Sequence, residues 1–245
     1  MMRFLKLTLF QLKLYVKNSY FVNLVLVETT MMLLYEYLAH YVAKDYTGNE
    51  WLIAGIMGTW ASCTTSAGAL GYQRFQGTLM YLLNTGISRE EVLLATLSPA
   101  AIYGLVAFPL AGIEAFILGM PLKYLDLQLI VGVLLFWLAS VVLSYLISLF
   151  FLLTKNAMQY EELVLLPILL LSGMLAIPAA FEKAIHPFQL LSPLSLPIRI
   201  IYHQAISTSW IIFYIAVIGM LFILGKTLTN YVVQRAFKEG RLNVF

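Results

Sequence analysis

Apolar residues are grouped along the chain into long runs that short polar stretches separate. Because a helix needs about 20 apolar residues to cross a bilayer, six of these runs are candidate membrane spans. They cover residues 19–41, 52–72, 91–118, 128–153, 162–179 and 208–228. The pattern predicts an all-α integral membrane protein with six transmembrane helices, and it predicts kinks in the third helix at Pro99 and Pro109.

The first 18 residues follow a different pattern, in which charged and apolar residues recur with the period of a helix. The basic residues fall along one side of that helix, namely Arg3, Lys6, Lys13 and Lys17. Leucine and valine side chains occupy the opposite side. We therefore expect residues 1–18 to form an amphipathic helix in the membrane interface. The alternative is a basic flank in front of the first span.

The composition agrees with a membrane environment. Apolar residues make up 61% of the 245 residues and charged residues 11%, whereas about a quarter of a soluble domain is charged. This excludes an ordinary soluble enzyme. Six spans leave no room for a soluble domain, so we expect residues 1–245 to form one transmembrane domain. The net charge of +3 gives no reason to expect a nucleic acid as partner.

Basic residues are distributed unevenly between the two sides of the predicted membrane. Of the fifteen, the side opposite the amino terminus carries only Lys44, Lys123, Lys183 and Arg199. Loops on the cytoplasmic side of a membrane carry the excess of lysine and arginine. Both termini are therefore predicted to be cytoplasmic, and residues 229–245 are predicted to form a cytoplasmic tail.

The connection between the second and third spans, residues 74–90, has more structure than a simple turn. Its leucines have helical spacing. Residues 84–86 are a helix stop signal, and Ser88 with Glu91 is a capping box that starts the next helix. The sequence therefore predicts a short cytoplasmic helix outside the membrane.

The connection between the fifth and sixth spans, residues 178–207, is apolar but frequently interrupted. The interruptions include Gly173, Pro178, Pro193 and Pro197. Such a stretch is too apolar for a solvated loop and too broken for a span. It predicts short helices that re-enter the outer leaflet, where protein must cover the irregular backbone, and these four residues are candidates for an outer gate.

Acidic side chains inside the predicted spans are candidates for a substrate pathway, because ionisable groups at that depth are costly. Glu28 lies near the middle of the first span and Asn23 precedes it, while Glu36 and Glu114 lie toward the outer ends of their spans. Glu28 could face a cationic substrate, a proton or a partner subunit. Alternatively, it is protonated and bonded to Asn23, to the adjacent threonines or to a neighbouring helix.

Motifs for catalysis are absent from the sequence, which contains neither a nucleotide-binding P-loop nor a His-Glu-x-x-His zinc motif. Three histidines on the outer side could share a metal, although hydrogen bonding is the more usual role: His40, His186 and His203. The serines inside the spans, which have no histidine at the same depth, favour packing: Ser62, Ser66 and Ser144. We predict no catalytic residue, no metal site and no cofactor bound by this chain.

Three segments together resemble one protein family. Gly77-Thr78-Leu79, Leu82-Leu83 and Ser88-Arg89-Glu90 resemble the coupling helix of type-2 ATP-binding-cassette (ABC) exporter permeases. The broken region that contains Leu171-Ser172-Gly173 and Leu191-Ser192-Pro193-Leu194 looks like the re-entrant element of that family. Residues 1–18 are similar to its connecting helix, so the resemblance covers essentially the whole chain.

The resemblance implies a non-catalytic permease subunit of an exporter in a prokaryotic plasma membrane. Its partners would be separate P-loop ATPase subunits on the cytoplasmic face, a second permease copy or a sibling permease, and membrane lipid. ATP and magnesium would be bound by the ATPase. The cargo would be an amphipathic drug, antimicrobial peptide or lipid. The residues that would couple to the ATPase are Arg74, Gly77, Thr78, Leu79, Leu82, Leu83, Ser88 and Arg89.

Two other functions remain open from the sequence. A secondary transporter driven by an ion gradient could use Glu28 as its proton or cation site, although the two halves of the chain show no evident inverted repeat. An intramembrane enzyme or assembly factor is the third hypothesis, and the lack of a paired nucleophile and base disfavours it.

Overall fold

The computed structural model of the protein describes residues 2–84, 86–154, 157–174 and 179–241, and within them only α-helices and their connections are present. The helices are α1 (Met2–Val16), α2 (Ser19–Tyr41), α3 (Glu50–Thr64), α4 (Ser66–Phe75), α5 (Leu79–Leu83), α6 (Arg89–Gly104), α7 (Ala107–Ile117), α8 (Leu127–Leu153), α9 (Ala157–Ser172), α10 (Ala179–Leu191), α11 (Ser195–Ile201) and α12 (Thr208–Lys238). The predicted all-α class is confirmed.

Four segments of the described chain are long and apolar enough to cross a membrane: α2, the pair α6 and α7, α8, and α12. They coincide with the first, third, fourth and sixth predicted spans. The second predicted span is divided between α3 and α4 at Thr65, and the fifth corresponds to α9, which has 16 residues. The count of six spans therefore stays a prediction.

The interruption expected in the third span is present near Pro109. Helix α6 ends at Gly104, α7 begins at Ala107, and Pro109 lies in the first turn of α7, where no intrahelical N–H bond is lost. Pro99, in contrast, lies inside the continuous helix α6. The sequence therefore located one interruption correctly, while the chain remains helical around the other proline.

Two clusters of buried apolar side chains hold the helices together. The first contains Trp51, Phe136 and Trp210 and joins α3, α7, α8, α11 and α12. The second lies at the other end of α8 and α12, where Tyr145 and Val233 join residues from α1, α4, α5 and α6. Helix α3 packs very closely on α2, because a Cβ atom at Gly58 would lie 1.9 Å from Thr29 Oγ1.

Buried hydroxyl groups donate to backbone carbonyls between the helices. Ser62 Oγ donates to the Ala100 carbonyl at 2.6 Å, and Thr59 Oγ1 donates to that of Gly104 at 2.9 Å. Ser144 donates to the Cys63 carbonyl in the same way. These contacts agree with the packing role predicted for Ser62 and Ser144; the side chain of Ser66 lies outside the described residues.

Two predicted boundaries differ from the structure. The helix expected within residues 74–90 is only the five residues of α5, because α4 extends to Phe75 and α6 begins at Arg89. The expected tail at 229–245 begins inside α12, which continues to Lys238. The residues from 229 to 238 are polar enough to suggest a tail, but Thr229, Val232 and Val233 are buried on one face, and this packing keeps the segment helical.

Candidate functional site

Residues 74–90, called here the coupling segment, begin with a glycine turn that ends α4. Gly77 adopts a positive φ of 67°, which glycine tolerates without strain. The Gly77 N–H donates to the Arg74 carbonyl at 2.8 Å, and the Thr78 N–H donates to the Gln73 carbonyl at 3.0 Å. This is a Schellman motif, and it explains physically why a glycine and a threonine stand together here.

Helix α5 is anchored to the rest of the chain by its leucines. Leu79 and Leu83 are 0% and 3% exposed within the second apolar cluster, and Leu82 is partly buried against it. The face that remains open carries Tyr81, which is 78% exposed, and Met80. Leu79 and Leu83 therefore hold α5 in place, and Tyr81 and Met80 are the large side chains that α5 offers to a partner.

Gln73 and Arg74 connect the coupling segment to two distant helices. Gln73 Nε2 donates to Gln11 Oε1 of α1 at 3.1 Å, and both side chains are 1% exposed. The Thr78 hydroxyl donates to the Gln73 side chain from the other direction. Gln73 therefore links the start of α5 to both α4 and α1.

The Arg74 guanidinium binds the carboxyl-terminal end of α8. It donates to the carbonyls of Leu152 at 2.7 Å, Phe151 at 3.1 Å and Thr154 at 3.3 Å. Carbonyls at a helix end lack part of the intrahelical bonding, although the Phe151 carbonyl also accepts from the Thr154 N–H at 3.2 Å, and a cation is favourable there. Burial lowers the pKa of Arg74, with a smaller effect from the nearby Arg241.

The start of α6 completes the coupling segment. Ser88 is the N-cap of α6, and its hydroxyl accepts a hydrogen bond from the Glu91 N–H at 3.4 Å, as the predicted capping box requires. Arg89 Nη1 lies 3.4 Å from Asn230 Oδ1. The coupling segment therefore lies beside the last turns of α12.

A groove between α2, α3 and α9 lies in the part of the chain expected to be in the membrane. It has a volume of about 380 Å³, and its lining is apolar along α9 and more polar along the other helices, with Glu28, Tyr20, Trp60, Thr64 and Thr65. Glu28 is exposed to it. The alternative in which Glu28 is bonded to Asn23, an adjacent threonine or a neighbouring helix is not observed among the described residues, and Thr30 donates to Glu114 at 2.6 Å.

At the opposite end, two short helices connect α9 to α12, in agreement with the expected interruption. Gly173 follows α9 with a φ of 80°, and Pro193 and Pro197 are buried before and within α11. Pro178 lies outside the described residues. Helix α11 packs tightly on α8, because a Cβ atom at Gly132 would lie 2.8 Å from the Ile201 side chain.

Comparison with known protein families gives one match. The model of the ABC-2 type transporter family matches residues 2–206, which include every described helix except α12. The chain belongs to this family. No curated protein and no solved structure matches it. The resemblance inferred from the motifs is therefore confirmed at the level of the family.

Membership identifies the chain as the permease component of an ABC transporter, a membrane protein. This component is non-catalytic in the family, and it works in general with an ATP-binding subunit. The coupling segment and the groove are therefore parts of a permease. Roles for individual residues in them remain predictions.

The acidic residues proposed for the permease pathway do not lie together. Glu114 accepts a hydrogen bond from Thr30 and lines a separate cavity of about 170 Å³ between α2 and α7. Glu36 Oε2 lies 3.8 Å from His40 Nε2 near the end of α2. Asn23 is exposed on α2 but does not line the groove. Of the four candidates, only Glu28 faces the groove.

The three histidines of the permease have separate surroundings. His40 Nδ1 lies 2.9 Å from Asp45 Oδ1, and His203 Nε2 lies 2.7 Å from Asp126 Oδ2. Each hydrogen bond lowers the pKa of its aspartate. His186 packs edge-on against Trp210. Among the described residues, no three metal-type side chains lie close enough to hold an ion.

Sequence reasoning missed Gln11 and Gln73, the two buried amides that join α1 to the coupling segment. Each looks like one polar residue in an ordinary helical pattern. The available signal was Gln73 together with Arg74, two polar residues that directly follow a long apolar run. The partner of Gln73 lies 62 positions away, and the carbonyls bound by Arg74 lie 77 to 80 positions away. No local sequence pattern reveals contacts of this kind.

Proposed function

We propose that this permease exports an amphipathic substrate, namely a drug, an antimicrobial peptide or a lipid, across a prokaryotic plasma membrane. Separate P-loop ATPase subunits would bind the cytoplasmic face and hydrolyse ATP with magnesium. The main support is the coupling segment, which in a member of this family combines an exposed face with rigid attachment to the helices behind it. Both termini would be cytoplasmic, and α1 would lie in the interface.

The contacts of the coupling segment suggest how force would pass through the permease. When the ATPases close on ATP, they would push Tyr81 and Met80. Because Leu79 and Leu83 are buried and Thr78 is bonded to Gln73, α5 would move together with the end of α4. Arg74 would pass the displacement to α8, so the helices around the groove would reorient as a unit.

The groove between α2, α3 and α9 is our candidate for half of the substrate pathway. It is open on one side, so a second copy or a sibling permease would be needed to enclose a substrate. Its apolar lining suits the body of an amphipathic molecule. Glu28, which has no hydrogen bond or ion pair within the described residues, would favour a positively charged group on the substrate.

A secondary transporter remains the second candidate, because the same unpaired Glu28 could carry a proton or cation. A secondary transporter would accumulate substrate in proteoliposomes under an ion gradient with no nucleotide present. In our proposal, accumulation instead requires ATP and the ATPase. Glu28→Gln would then lower substrate-stimulated ATP hydrolysis at low substrate concentration without changing basal hydrolysis.

The decisive experiment is purification of the tagged permease from its native membrane in mild detergent, with mass spectrometry and an ATP hydrolysis assay. We expect a P-loop ATPase in roughly stoichiometric amount. Tyr81→Glu, alone or with Met80→Glu, should remove the ATPase while the permease stays in the membrane, because a charge would be buried without a partner. The matched control is Tyr231→Glu, which changes an exposed tyrosine, 60% against 78% for Tyr81, in the last turns of α12 near the coupling segment.

Recovery of the permease alone, without ATP hydrolysis, would contradict the proposal and favour transport driven by an ion gradient. Equal recovery of the ATPase with Tyr81→Glu and with the wild type would show that the exposed face of α5 is not the contact. Charged substitutions at Leu79 or Leu83 are unsuitable for this test, because they would disrupt the core of the segment itself.

A further inference from the structure

A small polar cavity lies between the end of α9, α10, α11 and the start of α12, and we call it the Arg199 cavity. Its volume is about 170 Å³. Polar side chains from three segments line it, those of Gln189, Ser195, Arg199 and Gln204, and Trp210 closes one side. None of the lining residues is acidic, so the cavity carries a positive charge.

The charge of Arg199 has no counter-ion in the described part of the chain. Its guanidinium carbon lies 4.5 Å from the centre of the Trp210 ring, and its Nε is buried without a hydrogen-bond partner. A guanidinium stays charged at any physiological pH, and a charge in a partly enclosed site is costly unless it is paired. No hydrogen bond of the Arg199 side chain is present among the described residues, so its N–H groups are available to an anion.

Two neutral donors stand beside the guanidinium. The side-chain amides of Gln189 and Gln204 line the cavity, and neither makes a side-chain hydrogen bond within the described residues. Ser195 is already committed, because its hydroxyl donates to the Ser172 carbonyl at 2.8 Å. An arginine fork with two free amides matches an oxyanion with several acceptor oxygens.

The size and position of the cavity narrow the choice of ligand. A water molecule takes about 30 Å³, so 170 Å³ can hold a phosphate group with some water but not an acyl chain. Trp210 is buried and lies in the first turn of α12, a segment long enough to cross a membrane, and the ends of a spanning helix lie near the level of the lipid headgroups. We therefore expect the cavity to lie near the level of the phospholipid phosphates.

We propose that the Arg199 cavity binds a phosphate-type oxyanion supplied by the headgroup of a membrane phospholipid. Free phosphate offers the same chemistry and is the other possible source. The bound phosphate would pair with Arg199 and would fix the helices α10 and α11 against α12. This inference does not depend on ATP-driven transport.

The test uses the full-length permease in a nonionic detergent. Native mass spectrometry would measure the binding of phosphatidylglycerol, of a diacylglycerol with the same acyl chains, and of inorganic phosphate. We expect phosphatidylglycerol to bind at least about tenfold more tightly than diacylglycerol. Arg199→Gln should weaken its binding about tenfold, which corresponds to loss of one charge-assisted contact, and Arg199→Lys should weaken it less.

Two further variants make the outcome clear. Lys123→Gln removes an exposed basic residue outside the cavity, and it should change the affinity by less than about twofold. Gln189→Leu keeps the charge and should weaken binding about threefold by removing one neutral hydrogen bond. Gln189→Leu therefore tests the proposed site even if Arg199→Gln fails to fold.

Equal affinity of phosphatidylglycerol for the wild type, Arg199→Gln and Gln189→Leu would overturn the proposal. Binding of diacylglycerol as tight as that of phosphatidylglycerol would overturn it as well. Binding of inorganic phosphate but not of phosphatidylglycerol, with the same dependence on Arg199, would support the oxyanion site and rule out the lipid as its source. Because neither nucleotide nor ATPase is present, failure here leaves the co-purification result unaffected.

Discussion

The coupling segment and the Arg199 cavity lie at opposite ends of α12, and they treat polar side chains in opposite ways. Gln73, next to the coupling segment, is buried, Arg74 is partly buried, and both are bonded to other helices, although Arg74 Nε has no hydrogen-bond partner among the described residues. In the Arg199 cavity the guanidinium and two amides line an open space without hydrogen-bond acceptors among the described residues. Satisfied polar groups make a structure rigid, whereas under our proposal the unpaired groups of the Arg199 cavity bind a ligand.

This comparison suggests that one end of the permease transmits displacement and the other end binds. A rigid connection is useful where a short helix such as α5 must move several long helices, because loose contacts would allow α5 to move without them. Free donors are useful where a ligand completes the structure. The comparison can be tested in two ways. One test removes contacts of Gln73 and Arg74 near the coupling segment, and the other asks whether the end that contains the Arg199 cavity also has rigid contacts.

The largest effect is expected for Arg74→Met, which keeps most of the side-chain length but removes the guanidinium. The carbonyls of Phe151, Leu152 and Thr154 would lose the Arg74 donor, and Phe151 would keep only the Thr154 N–H, so we expect a loss of about 3 kcal/mol in the free energy of unfolding. Denaturation in detergent measures it. Arg235→Met is the control, because its exposed ion pair with Glu239 adds little. Similar stability for both variants would refute the anchoring role of Arg74.

The next largest effect is expected for Gln73→Leu. It leaves the buried Gln11 amide without a partner, at a cost of about 2 kcal/mol. In the double variant with Gln11→Leu both polar groups are gone, and stability should return in part. If Gln73 also transmits motion, the double variant should still lack substrate stimulation of the reconstituted ATPase.

The control for Gln73→Leu is Gln76→Leu, an exposed position in the same segment. Recovery of both stability and stimulation in the double variant would mean that Gln73 matters only for folding. Unchanged stability in Gln73→Leu alone would show that the bond to Gln11 contributes nothing, and the proposed rigidity of this end would then rest on Arg74.

Glu50 shows that the end opposite the coupling segment also contains a rigid contact. Its carboxylate is 2% exposed and accepts from the Thr47 N–H at 2.6 Å, the Thr47 hydroxyl at 2.9 Å and the Gly48 N–H at 2.8 Å. Burial alone would raise the pKa of Glu50, but these hydrogen bonds outweigh it and lower the pKa. Because the turn at Glu50 is fixed by hydrogen bonds, only the Arg199 cavity contrasts with the coupling segment, and the whole of this end of the protein does not.

A carboxyl group whose pKa is lowered by folding stabilises the protein above its unfolded pKa, which is about 4.3 for glutamate. This contribution is lost as the pH falls through the folded pKa. Glu50→Gln should therefore cost about 1 kcal/mol at pH 7 and make stability less sensitive to acid. Unfolding temperatures between pH 7 and about pH 2 test this, because the loss falls below the unfolded pKa of about 4.3. Parallel curves for the two proteins across that range would contradict it.

The sequence predicted the helical class, the positions of four spans and the family, because long apolar runs and capping signals act locally. The Ser88 cap and the interruption near Pro109 are of this kind. It overestimated the length of the coupling helix, since Leu79 and Leu83 have helical spacing whether one turn forms or several. It did not reveal the contact of Gln73 with Gln11 or that of Arg199 with Trp210, because the partner of Gln73 is distant in sequence and no local pattern marks an arginine that lacks a counter-ion among the described residues.

The smallest effect is expected from the glycines of the coupling segment, which differ only in backbone conformation. A Cβ atom at Gly77 or Gly86 would meet no other atom within 4 Å, but Gly77 alone has a positive φ. Gly77→Ala should therefore cost about 1 kcal/mol, and Gly86→Ala should be neutral or slightly stabilising. Because the Schellman turn at Gly77 sets the direction of α5, its strain should also lower the recovery of the ATPase. Equal stability and recovery for the two alanine variants would show that the turn geometry does not control how α5 is presented.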